Sequence, residues 1–274
     1  MAVAGVTVTV TLEELREELE QVPPSRGAAL KVVQMVDDPK VGSADVAGAV
    51  GSDPALTARI LQVANSAYYG LSGRIRTTQF AVTVVGFQTV RSLAALAAAG
   101  VQKNDKLPAG FWKRSAGAAS GASLLAQRAG AAAPDAFCAG MLHDLGTVLL
   151  WRLDPELHEG LAKRATVDQP MTSLEQQTYG GTHATLCGEV LSGWNVPLDL
   201  CSAIGRHHDQ ASAVAAPLRK ALQAGIAVAG MVDGIREPWV AAALQAVDVR
   251  NDELPGLMSQ VKAARDQLAA VLAS

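Results

Sequence analysis

The sequence has 274 residues, of which 49% are hydrophobic but only 4% aromatic, and a net charge of −3. That length is one large domain or two modest ones and buries a core without disulfide or metal staples, while the slight acidity excludes a global positive field for nucleic acid or anionic lipid. The apolar residues are mostly Ala, Val and Leu, which suit close-packed helices better than a sheet, so an all-α fold is expected.

Apolar runs such as Leu93 to Val101 are far shorter than the ~20 residues a spanning helix needs, and no basic-then-apolar leader opens the chain. A cytoplasmic protein without membrane contact is expected. Cys138, Cys187 and Cys201 are odd in number and form no CxxC pair, which fits reduced core cysteines.

In chain order, the Val-Thr alternation of Val3 to Val10 predicts a tail or minor edge strand, and Thr11 to Glu14 has the form of a capping box opening a helix that Pro23-Pro24 stops. A second helix runs from about Arg26 to Asp37-Asp38-Pro39, and a short one from Ser43 to Gly51. Asp53-Pro54 starts a helix with the apolar stripe Leu56, Ile60, Val63, Ala64 and Ala67, predicted to end at Tyr68-Tyr69-Gly70. Thr78 is expected to cap a helix closed by Gly86, followed by a helix over 88–99.

Gly100 to Pro108, polar in its middle, is the best internal boundary. Beyond it, helices are predicted near 109–129, 134–152, 155–166, 173–179, 183–193, 198–208, 217–235, 238–248 and 255–273. The last carries Leu257, Val261, Ala264, Leu268 and Val271 at helical spacing, a stripe able either to pack within the chain or to pair two copies. No equal-period repeat is evident, and GxxxxGKS/T, GxSxG, HExxH and a GxGxxG after a strand are all absent.

Four of the five histidines occupy suggestive places. His143 and Asp144 adjoin within Met141-Leu142-His143-Asp144-Leu145-Gly146, in a stretch so apolar that both must find partners. His183 opens a helix after Gly180-Gly181-Thr182, and His207-His208-Asp209 closes another. Imidazole nitrogens and carboxylate oxygens of this kind hold zinc, manganese or iron. Asn65, Tyr68 and Tyr69, with Arg91 nearby, form a candidate interaction surface; the competing reading makes Asn65 a helix cap bonded to the next loop and packs Tyr68 between the two units.

From Pro23 to about Asp209 the chain resembles the HDOD family, the HD-related output domains of bacterial signalling proteins, themselves similar to HD and HD-GYP phosphohydrolases. Val22-Pro23-Pro24, the run Asp53 to Leu61, Ala64-Asn65-Ser66-Ala67-Tyr68-Tyr69-Gly70 and Val85 to Arg91 carry the resemblance; Phe111 to Ser115, Ala139 to Gly146, Thr182-His183-Ala184 and Arg206 to Asp209 follow in the family's order. The resemblance implies two packed helical subdomains, the C-terminal one HD-like. The expected divisions are 1–22 (tail and first helix), 23–102 (N-terminal helical part), 103–236 (HD-like part) and 237–274 (helical extension).

The departures bear on chemistry. The first histidine of an HD metal centre should fall where this chain has Arg114, a donor that cannot ligate a cation. The late aspartate should fall near Gly230, with Asp233 three positions on, and Thr147 stands where catalytic relatives often have lysine. The expectation is therefore a degenerate HD site formed by Arg114, His143, Asp144, His183, His207 and His208, with Arg114 paired to Asp144, no catalytic residue, no resident metal and no cofactor. A signal-transduction output module is implied, whose partner is another signalling protein or a small regulatory ligand. It has no nucleic-acid contact and can form a homodimer. The alternative is a metal-dependent HD-type phosphohydrolase acting on a nucleotide or cyclic dinucleotide, with those histidines holding a metal.

Overall fold

A computed structural model describes residues 26–71, 73–101, 105–235 and 238–273, all helix and connecting turns with no strand among them. The Val3 to Val10 segment and the helix expected from Thr11 lie outside the described residues.

Five helices come first: α1 Gly27–Met35, α2 Ser43–Gly51, α3 Pro54–Ala64, α4 Thr78–Val85 and α5 Phe87–Ala98. Asp53 caps α3 by accepting from the Ala55 and Leu56 amides, with Pro54 in the first turn. This helix stops at Ala64, short of the expected Tyr68-Gly70. Asn65 caps it, donating to the Leu61 carbonyl and exchanging two hydrogen bonds with the Ile75 backbone, and Ala67–Tyr69 forms a separate 3₁₀ turn. Thr77, one residue before the expected cap, accepts from the Phe80 amide at the start of α4. No single helix among the described residues is long and apolar enough to cross a membrane; α4 and α5 together meet that test but are bent by 108° at Gly86.

The rest of the chain forms α6 Phe111–Ala129, α7 Ala133–Leu142, α8 Leu145–Leu153, α9 Pro155–Arg164, α10 Met171–Tyr179, α11 His183–Gly193, α12 Leu198–Gly205, α13 Pro217–Val232, α14 Pro238–Gln245 and α15 Leu254–Ala273. The helix α6 is the hub, packed against α7, α13 and α15, while α5 meets α7 across the two halves. Small residues set these distances: a Cβ on Gly121 would stand 2.7 Å from the Gly225 carbonyl oxygen, so α6 and α13 touch backbone to backbone. The three cysteines are buried and free.

Two expectations are corrected here, and one left open is decided. The helix predicted over 134–152 is broken at His143-Asp144 into α7 and α8: Asp144 leaves helical geometry, with φ −98° and ψ 7°, and turns its carboxylate to Arg114 of α6. The stripe on α15 packs inward: Leu257, Val261, Leu268 and Leu272 are buried against the core, and Arg59 reaches from α3 to the Leu272 carbonyl, which removes that face from dimerisation. Arg91 is only 1% exposed, held by Asp37 and Gln88, and cannot belong to an interaction surface. Of its expected companions, Tyr68 packs near Phe137 of α7 with ring centroids 6.2 Å apart, and Tyr69 meets the Thr89 hydroxyl at 3.4 Å.

Candidate functional site

The site assembles where α6, α8, α10, α11 and the turn after α12 converge. Arg114 sits in the first turn of α6. Its Nε and Nη2 both reach Asp144 Oδ2, at 2.8 and 2.7 Å, and its Nη1 donates to the Ala109 carbonyl at 2.6 Å. Asp144 is 6% exposed and caps α8 by position, yet its side chain makes no capping bond. Burial raises its carboxyl pKa, but Arg114, His143 and His183 outweigh this and hold it below the usual carboxylate range.

The four histidines approach one another through fixed faces. His143 Nδ1 stands 2.7 Å from the Gly140 carbonyl, and His207 Nδ1 stands 2.7 Å from the Ile204 carbonyl. A carbonyl only accepts, so both rings carry their proton on Nδ1 and leave a lone pair on Nε2. His183 Nδ1 lies 2.7 Å from Glu175 Oε2, and Glu175 also accepts from the His183 backbone amide. His208 Nε2 is 3.0 Å from His183 Nε2. Ring centroids lie 5.3 Å apart for His143–His207 and 4.1 Å for His207–His208.

Local sequence explains this convergence. Thr182 caps α11 by accepting from the Thr185 amide, which fixes His183 as the first helical residue. Gly146 lies directly against it, and a Cβ at 146 would overlap the His183 carbonyl, so glycine is what allows the doublet and His183 to share one site. Gln223 of α13 donates to the carbonyls of His207 and Asp209, holding the tight turn that follows α12. That turn begins after Gly205, where the sequence predicted helix to 208.

Charge within the cluster is tightly rationed. Burial, then His208, His143 and His183, push His207 well below the ordinary imidazole value; burial also lowers His143, and His208 is lowered by burial and by His183. His183 moves the other way, since its bond to Glu175 outweighs burial and raises it.

Two participants went unread in the sequence. Glu175, wholly buried, lies across the Gly180-Gly181 turn from His183, so no short motif marks it; the legible signal is its place on the face of α10 that buries Tyr179 four residues on. His158 of α9, the one histidine set aside, is buried beside Glu175 with its Nε2 3.9 Å from Oε1 and no hydrogen-bond partner. Asp233 is absent from the cluster and pairs with Lys113 and Arg265, and Asp209 turns away to Arg206 and Arg219.

Above the cluster opens a cavity of about 630 Å³, walled by Trp151, Met171, Ala162 and Ile226, with Lys163 at its edge. An HD-type metal centre does not fit the doublet end of this site. The guanidinium of Arg114 already satisfies Asp144, filling the space a cation would take with a charge that repels one.

The HDOD domain profile matches residues 22–210. The chain belongs to the HDOD family. A protein of Treponema pallidum described only as uncharacterized is 25% identical over 200 residues, covering 71% of this chain and 39% of its own length; the chain thus spans about two-fifths of that relative. Among solved structures, a Shewanella amazonensis protein provisionally described as a phosphohydrolase is similar, with TM-score 0.74, 22% identity and coverage of 96% of this chain and 98% of its own. A Marinobacter aquaeolei protein provisionally described as a signal transduction protein has TM-score 0.75 and 22% identity, covering 98% of this chain and 63% of its own. An HDOD domain protein of unknown function from Geobacter sulfurreducens has TM-score 0.63 and 22% identity, covering 97% and 98%. At these identities the structural likeness speaks to the HDOD fold.

Proposed function

We propose that this HDOD chain is a non-catalytic output or binding module of cytoplasmic signal transduction, its degenerate HD cleft serving recognition instead of phosphoester hydrolysis. One observation carries this reading: Arg114 is bonded to Asp144 through two nitrogens. Water activation in an HD-type site needs a metal with an open position, and the doublet's carboxylate is committed to a guanidinium. The cavity, apolar-walled with charge at its floor and rim, suits a small regulatory ligand, and the partner that receives the signal is another signalling protein.

The competing reading is a metal-dependent phosphohydrolase, favoured by the retention of four clustered histidines. Phosphate release separates the two. Purified protein supplied with Mn²⁺ or Fe²⁺ and offered nucleotides, cyclic dinucleotides and p-nitrophenyl phosphate should turn over no faster than the His143→Ala, Asp144→Ala double variant. Turnover that this double variant abolishes would establish the enzyme.

A further inference from the structure

We infer that Arg26, Arg59 and Arg152 form a binding site for a di- or oligophosphate at the seam between the two halves of the chain, apart from the histidine cleft. They come from three elements: Arg26 directly precedes α1, Arg59 lies on α3 and Arg152 in the last turn of α8. All three converge on the consecutive carbonyls at the C-terminal end of α5. Arg26 Nη1 donates to Ala98 at 3.0 Å, Arg152 donates to Ala99 and Gly100 at 2.8 and 2.9 Å, and Arg59 Nη1 donates to Val101 at 3.3 Å. Two of the guanidinium groups flank Gly100, where φ is +76°: a Cβ there would stand 2.8 Å from Arg26 Nη1 and 3.6 Å from Arg152 Nη1.

Capping alone does not call for this arrangement. One basic side chain serves a helix C-terminus, and like charges gathered at one spot repel. Among the described residues Asp105 is the carboxylate that answers the trio, 2.8 Å from Arg152 Nη2 and raising Arg59 through its field. Burial still lowers Arg59 to about 10, and burial together with the nearby Arg26 lowers Arg152 despite Asp105, so the trio holds more positive charge than Asp105 balances. Guanidinium forks match the oxygens of phosphate groups, and a multiply charged phosphate chain balances the surplus. Arg59 is fixed in place, 4.5 Å over the Trp112 ring with its Nη2 on the Leu272 carbonyl, while Arg26 and Arg152 reach solvent and present the contact face. The donors come from both halves, so a bound anion ties them together and stabilises the folded chain.

This site lies beyond the cleft and is scored by binding alone, so it stands or falls separately from the non-catalytic reading. Tripolyphosphate and ATP, titrated calorimetrically into the metal-free full chain at low salt, should each bind at a single site and raise Tm. Arg26→Gln and Arg152→Gln should each weaken binding by about 10-fold or more. Asp105→Asn, which removes the competing carboxylate, should tighten it, and His208→Ala in the cleft should leave it unchanged, with circular dichroism confirming that each variant is folded. Equal affinity for the two probes assigns the contact to the phosphate chain alone, and tighter binding of ATP adds a nucleoside to it; either result supports the site. The inference is overturned by folded protein that binds neither probe, by Arg26→Gln and Arg152→Gln binding as tightly as the parent, by Asp105→Asn binding no tighter, or by His208→Ala losing the ligand.

Discussion

Arg114 grips a single oxygen of Asp144 with two of its guanidinium nitrogens, at 2.8 and 2.7 Å. The residue that cannot bind a metal thus holds the one that otherwise would. Replacing Arg114 by Ala leaves a buried carboxylate without its guanidinium partner. Loss of one partner from a fully buried pair costs about 3–5 kcal/mol, but the Arg114 side chain is 44% exposed, so a loss of about 2 kcal/mol is expected in urea unfolding. Unchanged stability in Arg114→Ala would show that the pair does not hold the site together.

Acid should weaken the fold before it reaches the carboxylate range. The folded values of His143, His158, His207 and His208 lie below 6.5, so stability is fully present above 6.5 and is lost as pH falls, the unfolded chain binding protons first. His183 is raised and has the opposite sign: its contribution is present below 6.5 and fades as pH rises through its folded value. Asp144 is lowered, and its contribution disappears only as pH falls below about 3.9. With four depressed groups against one raised, the urea midpoint should drop between pH 7.5 and 5.5. His143 and His207, both 6% exposed, can each contribute at most about 1.4 kcal/mol per pH unit. A midpoint that holds or rises over that interval contradicts the depression of these four histidines.

Gly146→Ala should be among the most damaging single methyl additions in the chain. The new Cβ meets the His183 backbone, which is anchored by the α11 cap and by Glu175 and cannot yield cheaply. Overpacking of this kind costs about 3 kcal/mol, read as a fall in Tm, and should perturb the His183 ring resonances in NMR. A variant with parental Tm and an unmoved His183 would mean that α8 and α11 slide apart freely.

Arg91→Ala distinguishes a packing role from a recognition role. Buried with its charge on Asp37, Arg91 should cost about 2–3 kcal/mol when truncated, through a cavity and a lost ion pair. A stable Arg91→Ala variant that instead loses a binding partner would restore the surface reading.

Helix content was the most legible property of the sequence, since Asp53-Pro54, Gly86 and Pro155 punctuate it with local chemistry that tertiary contacts do not override. The break at His143-Asp144 was not legible: apolar residues flank the doublet on both sides from Met141 to Leu150, and the Arg114 guanidinium that draws Asp144 aside comes from another helix. The cluster was readable as a set because its members keep the family's order, and the Arg114–Asp144 pairing followed from charge. Glu175 and His158 escaped because their partners lie across turns, where spacing carries no signal. Arg91 looked like surface charge because sequence position says nothing of the Asp37 carboxylate that buries it.

The filled cation position is tested most directly with Mn²⁺, a hard ion that prefers carboxylate to a purely imidazole set. Mn²⁺ titrated into the parent protein and into Asp144→Asn, followed by the loss of the free-ion EPR signal, should give superimposable curves, because Arg114 already occupies Asp144. A parent that takes up Mn²⁺ and an Asp144→Asn variant that does not would contradict it, and would place a working metal on the doublet.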